Sequence, residues 1–361
     1  MSMQSSAPTV SSAPARLGTF SGIRSVFALE MKQRLRSRGW YILLAVWFAV
    51  IALVSMLTAL NASVVDGPTG PVLFELIVGF VLFFGLLLAP ALSANAVNGD
   101  RTAGTLAILQ ITLLSPGQIL AGKWLASWVA SLGFLAASVP FLVWGLALGG
   151  VRPLSAVVAV VMLAVELGVV CAIGLGVSAL ANRPLFSIVV TYMLVALLGL
   201  GTLIGFGLSL TLVQGTVKAN YPTYESYLLS PDTESDYICS GPLMDVPVQH
   251  TDRVVWFLAA NPFVIVADAI PYADPVSSAS ADYVPTGVMQ GISSTLRLAQ
   301  AGPEYTQPCI NGQVQPEVPP TFPIWPLGLV VQLALAALLL ALGRRRLVTP
   351  VRRLAVGTRI A

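Results

Sequence analysis

Charge is what this sequence has least of. Only 10% of its 361 residues are Asp, Glu, Lys or Arg, against 56% that are hydrophobic. An ordinary soluble domain is about 25% charged. So few charges cannot coat the water-facing surface of a 37.9 kDa globule, which excludes a single soluble domain. A disordered chain is excluded too, because disorder needs low hydrophobicity and high charge. Histidine occurs once and cysteine three times. That leaves little for a metal centre or a disulfide-dense module, and no metal is expected. No Ser-His-Asp or paired-carboxylate constellation stands out, and nothing points to nucleic acid as a partner.

What is present is apolar length. A bilayer core takes about 20 mostly apolar residues per helix. Six stretches qualify: Trp40 to Leu60, Pro71 to Val97, Ile119 to Leu148, Pro153 to Ala181, Leu185 to Val213 and Pro326 to Leu342. Pro71, Pro153, Pro184 and Pro326 stand at or near span openings, where a missing N–H costs nothing. Pro90 and Pro140 lie inside spans two and three and are expected to kink them. The first span starts too late and runs too long for a cleaved signal peptide.

The positions of the basic residues set the expected orientation. Arg16, Arg24, Lys32, Arg34, Arg36 and Arg38 precede span one; Arg344, Arg345, Arg346, Arg352, Arg353 and Arg359 follow span six. Arg101 and Lys123 flank the connection between spans two and three, and Arg183 lies between spans four and five. With an even span count all fall on one side, so both termini are expected in the cytoplasm. The acids take the other side: eleven of the 16 Asp and Glu lie in residues 214–324.

The expected fold is an all-α polytopic membrane protein with six transmembrane helices. Residues 1–21 read as a disordered Ser/Ala/Pro tail and 22–39 as a basic amphipathic helix on the inner membrane surface. On that helix Ile23, Val26, Phe27, Met31 and Leu35 are expected on one face and the charges elsewhere. Residues 40–213 hold spans one to five, 214–324 a long extracytoplasmic segment, 325–343 span six and 344–361 a basic tail. Asn98-Gly99 is expected to end span two, with Asp100 or Thr102 capping a new short helix. Ser115-Pro116-Gly117 then turns the chain into span three.

Within the outer segment, 253–270 is apolar but too short to span. It reads as two short helices at the outer face, with a re-entrant element as the alternative. Cys239 and Cys309 share this segment, so a disulfide competes with two free thiols; closing such a loop is worth roughly 4 kcal/mol in the chain-entropy model. Glu166 lies mid-span in span four. A carboxyl at that depth costs several kcal/mol unless paired or protonated, so it marks a substrate path or gate, or else a structural hydrogen bond. Glu75, at the outer end of span two, is expected at the interface. Gly145 with Gly149, and Gly201 with Gly205, have the spacing of close helix packing.

Two stretches resemble the permease subunits of ABC-2-type ATP-binding-cassette exporters. LEMKQRLRSRGWYILL is similar to that family's connecting helix entering span one. DRTAGTLAILQITLLSPGQILAGK is similar to its stretch between spans two and three, through Asp100, Arg101, Gly104, Thr105, Leu106, Ile119, Gly122 and Lys123. Asn261-Pro262-Phe263 resembles an Asn-Pro of the family's outer connection.

The resemblance implies an exporter permease in the plasma (inner) membrane. It would be paired with a second copy or a homologous permease and with two ATPase subunits that bind ATP and Mg. Residues 100–113 would form the coupling helix, with Asp100, Arg101, Gly104, Thr105, Leu106 and Leu109 facing the ATPase and Glu30, Arg34, Arg36 and Arg38 on the connecting helix. Gly201 and Gly205 would lie where permeases meet. ATP chemistry would belong to the partner: Gly122-Lys123 is followed by Trp124, where a phosphate-binding loop needs Ser or Thr. An ion-coupled transporter or channel, and a non-transporting scaffold, are the competing functions; the first predicts broken or charged helices in repeated halves.

Overall fold

Apolar runs this long form helices because a backbone away from water must satisfy its own hydrogen bonds. The computed structural model describes residues 18–62, 69–104, 114–223, 238–272, 287–303, 307–315 and 322–347. Among them six helical stretches are long and apolar enough to cross a membrane. The chain is a multi-pass membrane protein with a mostly helical fold.

Helix α1 (Thr19–Arg36) meets α2 (Arg38–Ala62) at an extended Ser37. Span two is α3 (Thr69–Ser93) continued, after a turn at residues 94–95, by the short α4 (Ala96–Thr102). Spans three and four are α5 (Pro116–Ala147) and α6 (Pro153–Leu180). Span five comprises α7 (Pro184–Ala196), a π-helical turn at Leu197–Gly201 and α8 (Thr202–Ser209). Span six is α11 (Trp325–Leu347).

Several details depart from the sequence reading. Asn98-Gly99 does not end span two; both lie inside α4, and the break falls at residues 94–95. The Thr102 hydroxyl donates to Asn98 O at 3.1 Å, and the short helix expected to be capped by Asp100 or Thr102 lies outside the described residues. Ser115-Pro116 is not a turn but a helix start. Ser115 accepts from Gln118 N, and Gln118 Oε1 accepts from Ser115 N at 2.7 Å, a complete capping box. Pro90 and Pro140 lie inside continuous helices, as the positions of spans two and three imply.

Indole N–H groups tie the spans together, since a buried Trp needs an acceptor. Trp47 donates to Phe134 O at 3.0 Å, joining α2 to α5; Trp124 and Trp128 donate to Gly168 O and Ala164 O at 2.9 and 2.8 Å, joining α5 to α6. Helices α2, α7, α8 and α11 expose large aliphatic side chains such as Leu53, Leu185, Leu203 and Val330, as a lipid-facing surface does.

One end of the bundle gathers α1, α4, the start of α5, the end of α6, the start of α7 and the Arg-rich end of α11; it is the basic end. The opposite end carries what the sequence read only as a long segment. There β1 (Gln214–Thr223), β2 (Ile238–Gln249), β3 (Cys309–Ile310) and β4 (Gln313–Val314) form an antiparallel sheet in the order β2-β1-β3-β4. Cys239 and Cys309 are disulfide-bonded and clamp β2 to β3 across β1.

The apolar stretch after β2 forms two 3-10 turns, Thr251–Arg253 and Val255–Leu258, and then α9 (Pro262–Ala269). Helix α9 does not lie on a face. Val264, Ile265, Val266, Ala267 and Asp268 are buried, and Gln332, two turns into α11, donates to Ala260 O at 3.0 Å. The chain therefore dips among the spans, in the manner of the re-entrant alternative.

Helix α10 (Val288–Ala301) covers this dip. Two carboxylates dock the outer layer onto the spans. Glu75 of α3 is not interfacial: it is buried and accepts from Gln290 N in the first turn of α10 at 2.9 Å. Asp268 accepts from Ile324 N and Trp325 N at 2.7 and 3.0 Å, capping α11, and pairs with Arg297 at 3.6 Å. In both cases an acid meets the positive end of a helix.

Candidate functional site

The basic end holds a buried charge cluster built from the stretches that carry the family resemblance. Helix α1 runs beside the first turns of α5. Its contacting stripe is Gly22, Val26, Glu30 and Arg34, four residues apart, so one stripe of α1 faces the partner helix. Of the apolar face expected from Ile23 to Leu35, Val26 is in this stripe and Ile23, Phe27 and Met31 are part-buried beside it, whereas Leu35 is exposed. Charges turn inward because they find partners there.

Gly122 explains the close approach. A Cβ added at Gly122 would lie 2.6 Å from Val26 Cβ, so only glycine lets α1 seat against α5 here. One residue on, the Lys123 side chain is 1% exposed and reaches two carboxylates: Glu30 of α1, in a short ion pair, and Asp100 of α4 at 2.6 Å. Arg34 lies one turn beyond Glu30, at 4.0 Å from its carboxylate. Its guanidinium donates to Ala126 O at 2.7 Å, Ser127 Oγ at 3.1 Å and Leu92 O at 3.2 Å. Burial draws the Arg34 pKa below its ordinary value, an effect Glu30 opposes; arginine remains charged. Asp100, Lys123, Glu30 and Arg34 sum to zero charge, which is how a low-dielectric site holds ions.

Helix α4 is held at both ends by α6. Ser178 Oγ accepts from Val97 N and Asn98 N at 3.1 and 3.3 Å. Arg101 donates to Ala181 O at 2.6 Å and to Asn98 Oδ1 at 3.0 Å. Arg346 of α11 donates to the neighbouring Leu180 O at 2.6 Å. The carbonyl end of α6 is thus covered by two arginines, the charge its dipole favours. Gly104 follows α4 with φ +73° and is exposed; among the described residues nothing lies within 4 Å of where a Cβ would stand. A displacement applied just after α4 would reach α5 and α1 through Lys123, and α6 through Arg101 and Ser178.

Of the residues expected at a coupling surface, Asp100 enters the charge cluster, Arg101 ties α4 to the end of α6, and Gly104 follows α4. Thr105, Leu106 and Leu109 lie outside the described residues. On the connecting helix Glu30 and Arg34 join the cluster, whereas Arg36 and Arg38 are exposed. Lys123 was read only as a side marker and a motif position. A lysine flanked by apolar helix residues signals burial with a partner. Gly117 to Lys123 also has the spacing of a phosphate-binding loop, but this segment is the first two turns of α5 and its lysine is engaged in ion pairs.

A second polar group lies mid-bundle. Glu166 is fully buried with the side chain of Gln332 on α11 beside it. Beside Ala260, which binds the Gln332 amide, Asn261 accepts from Phe263 N at 2.9 Å and donates to Gly199 O and Thr202 Oγ1 at 2.8 and 2.9 Å. Spans four, five and six thus converge on the Asn-Pro dip. Its partner on span five is a π-helical turn, an irregularity that recurs at functional sites. Gln332 was missed, though a lone polar residue in the apolar run of span six is a usable signal. Gly201 lies under the Leu197 side chain, and Gly205 faces Phe257 of the same chain.

No curated protein matches the chain. A family model described as "ABC-2 family transporter protein" matches residues 24–343, from the connecting helix through all six spans, and the chain belongs to that family of ATP-binding-cassette transporter permeases.

Proposed function

We propose that this permease is the translocation half of an exporter, driven by ATP that a separate nucleotide-binding subunit binds with Mg and hydrolyses. Members of the family generally work with an ATP-binding subunit. The observation that carries the reading is Lys123, buried between Glu30 and Asp100. It makes α1, α4 and α5 one mechanical unit ending at Gly104, and closure of ATPase subunits on residues 100–113 would move that unit as a block. The permease then rocks between inward- and outward-facing states.

In this reading both termini and the basic end are cytoplasmic, the sheet and α10 lie outside the plasma membrane, and a second copy or a homologous permease completes the pathway with Gly201 and Gly205 near the contact. Glu166 serves that pathway as a gate.

Co-expression with an ATP-binding-cassette ATPase subunit from the same genome tests the proposal. Wild-type chain should capture that subunit and stimulate its ATP hydrolysis. Arg101→Glu, which sets an acid against the α6 carbonyls, should abolish the stimulation while the permease stays folded. Failure to capture any ATPase contradicts the partner assignment, and unchanged stimulation in Arg101→Glu contradicts the coupling assignment.

A further inference from the structure

The coupling cluster leaves one cavity at the basic end unused. It lies on the flank where α6 ends, α7 begins and α11 finishes, and has a volume of about 710 Å³. Its wall includes Asn182, Arg183, Leu185, Phe186, Val189 and Arg346. Two kinds of chemistry meet there. The rim is cationic. Arg346 is fixed by its bonds to Leu180 O and, at 3.3 Å, Asn182 Oδ1. Arg183 is exposed and, among the described residues, has no hydrogen bond or ion pair. Among the described residues no acid lines the cavity, and Glu30 and Asp100 at the same end of the bundle are held by Lys123.

The wall beyond the rim is apolar. Leu185, Phe186 and Val189 are 74%, 61% and 47% exposed along the first turns of span five, so the strip runs from the helix ends toward the bilayer interior. A cationic rim at the end of a span with a lipid-facing strip beneath it matches one ligand class, an anion that carries its own hydrocarbon. We propose that this cavity binds an anionic phospholipid, its phosphate between Arg183 and Arg346 and an acyl chain along Leu185, Phe186 and Val189. Basic pockets between membrane helices take such headgroups. A free phosphate would leave the apolar strip bare. A second copy packed two-fold on this flank would set arginine against arginine with no acid to balance them. The site depends only on the membrane-spanning helices and stands apart from the coupling reading.

Native mass spectrometry of the full chain tests it, with phosphatidylglycerol and phosphatidylcholine of identical acyl chains added in turn. Phosphatidylglycerol should be retained in preference. Arg183→Ala should weaken its retention roughly fivefold, from the electrostatic contribution of one basic residue near a headgroup. Arg345→Ala, an exposed arginine outside the cavity wall, should match wild type. Equal retention of the two lipids overturns the proposal. So does equal weakening by both variants, which would mean diffuse attraction to the whole basic end. Displacement of the lipid by inorganic phosphate alone overturns it as a free-anion site, and a change in dimer content with unchanged lipid retention in Arg183→Ala overturns it as a protein interface.

Discussion

Replacing Lys123 with methionine, which keeps length and volume but removes the charge, strips the common cation from Glu30 and Asp100. Breaking a buried ion pair by removing one member costs about 3–5 kcal/mol, because the remaining charge is left unpaired. Here the two carboxylates are 15% and 26% exposed, and Arg34 still approaches Glu30, so water and Arg34 offset part of the loss. About 3 kcal/mol, the lower end, is expected for Lys123→Met. Neutralising all three groups, as Glu30→Gln, Asp100→Asn and Lys123→Met together, leaves no orphaned carboxylate and only Arg34 charged, held by its three neutral acceptors. Replacing a whole buried ionic group is often close to neutral, so the triple variant should be more stable than the single one. Arg34 would stay in place through its three other acceptors. Urea titration in detergent measures both stabilities, and permease-dependent stimulation of the co-purified ATPase measures coupling. The single variant should be unstable, and the triple variant stable but uncoupled. A loss under about 1 kcal/mol for Lys123→Met, the worth of an exposed pair, would refute the buried-cluster account. A triple variant that couples like wild type would refute transmission through these charges.

Other outcomes follow from the same structure. Because Glu166 is fully buried in the apolar bundle with only the Gln332 side chain as a polar neighbour among the described residues, Glu166→Leu should cost little stability. Transport should nonetheless fall in that variant; unchanged transport in vesicles would assign Glu166 to packing alone. Glu75→Ala should expose the first turn of α10 to hydrogen exchange, whereas Glu75→Gln, which keeps an acceptor, should protect it. Gly287→Ala should mimic Glu75→Ala, since a Cβ there would lie 2.2 Å from Glu75 Oε2; protection of α10 in both variants would show that the carboxylate does not dock it. Cys309→Ser opens a crosslink spanning 70 residues, worth roughly 4 kcal/mol in the chain-entropy model, and should make the outer sheet the first region to yield to protease. Unchanged proteolysis would remove the disulfide from the account.

The spans were legible because hydrophobic length is a strong, local signal, and the starts at Pro153 and Pro184 follow from the same local physics. The sheet was not legible. β2 carries two prolines, and β3 and β4 are two residues each, so no alternating run announces a strand. The break of span two was misplaced because Asn-Gly commonly ends helices, while here Asn98 is held in α4 by Arg101 and Ser178 across the bundle. The stripe of α1 was read only in part, Val26 correctly and Glu30 and Arg34 not. Periodicity puts apolar residues inward, but pairing with Lys123 and α5 carbonyls makes Glu30 and Arg34 the better buried pair. Glu75 and Asp268 could not be assigned from sequence, because their partners are helix N-termini far along the chain.

Ala103, exposed at the end of α4 with ordinary backbone angles, offers the most direct test of coupling. Ala103→Cys labelled with a photo-crosslinker, in the complex with the co-expressed ATPase, should attach to that subunit, with a yield that changes on ATP binding. A crosslinker placed at Ser294 of α10 should not reach it. Attachment at Ala103 alone is the result predicted here; an absent crosslink at Ala103, or equal yields from both ends of the bundle, would contradict it.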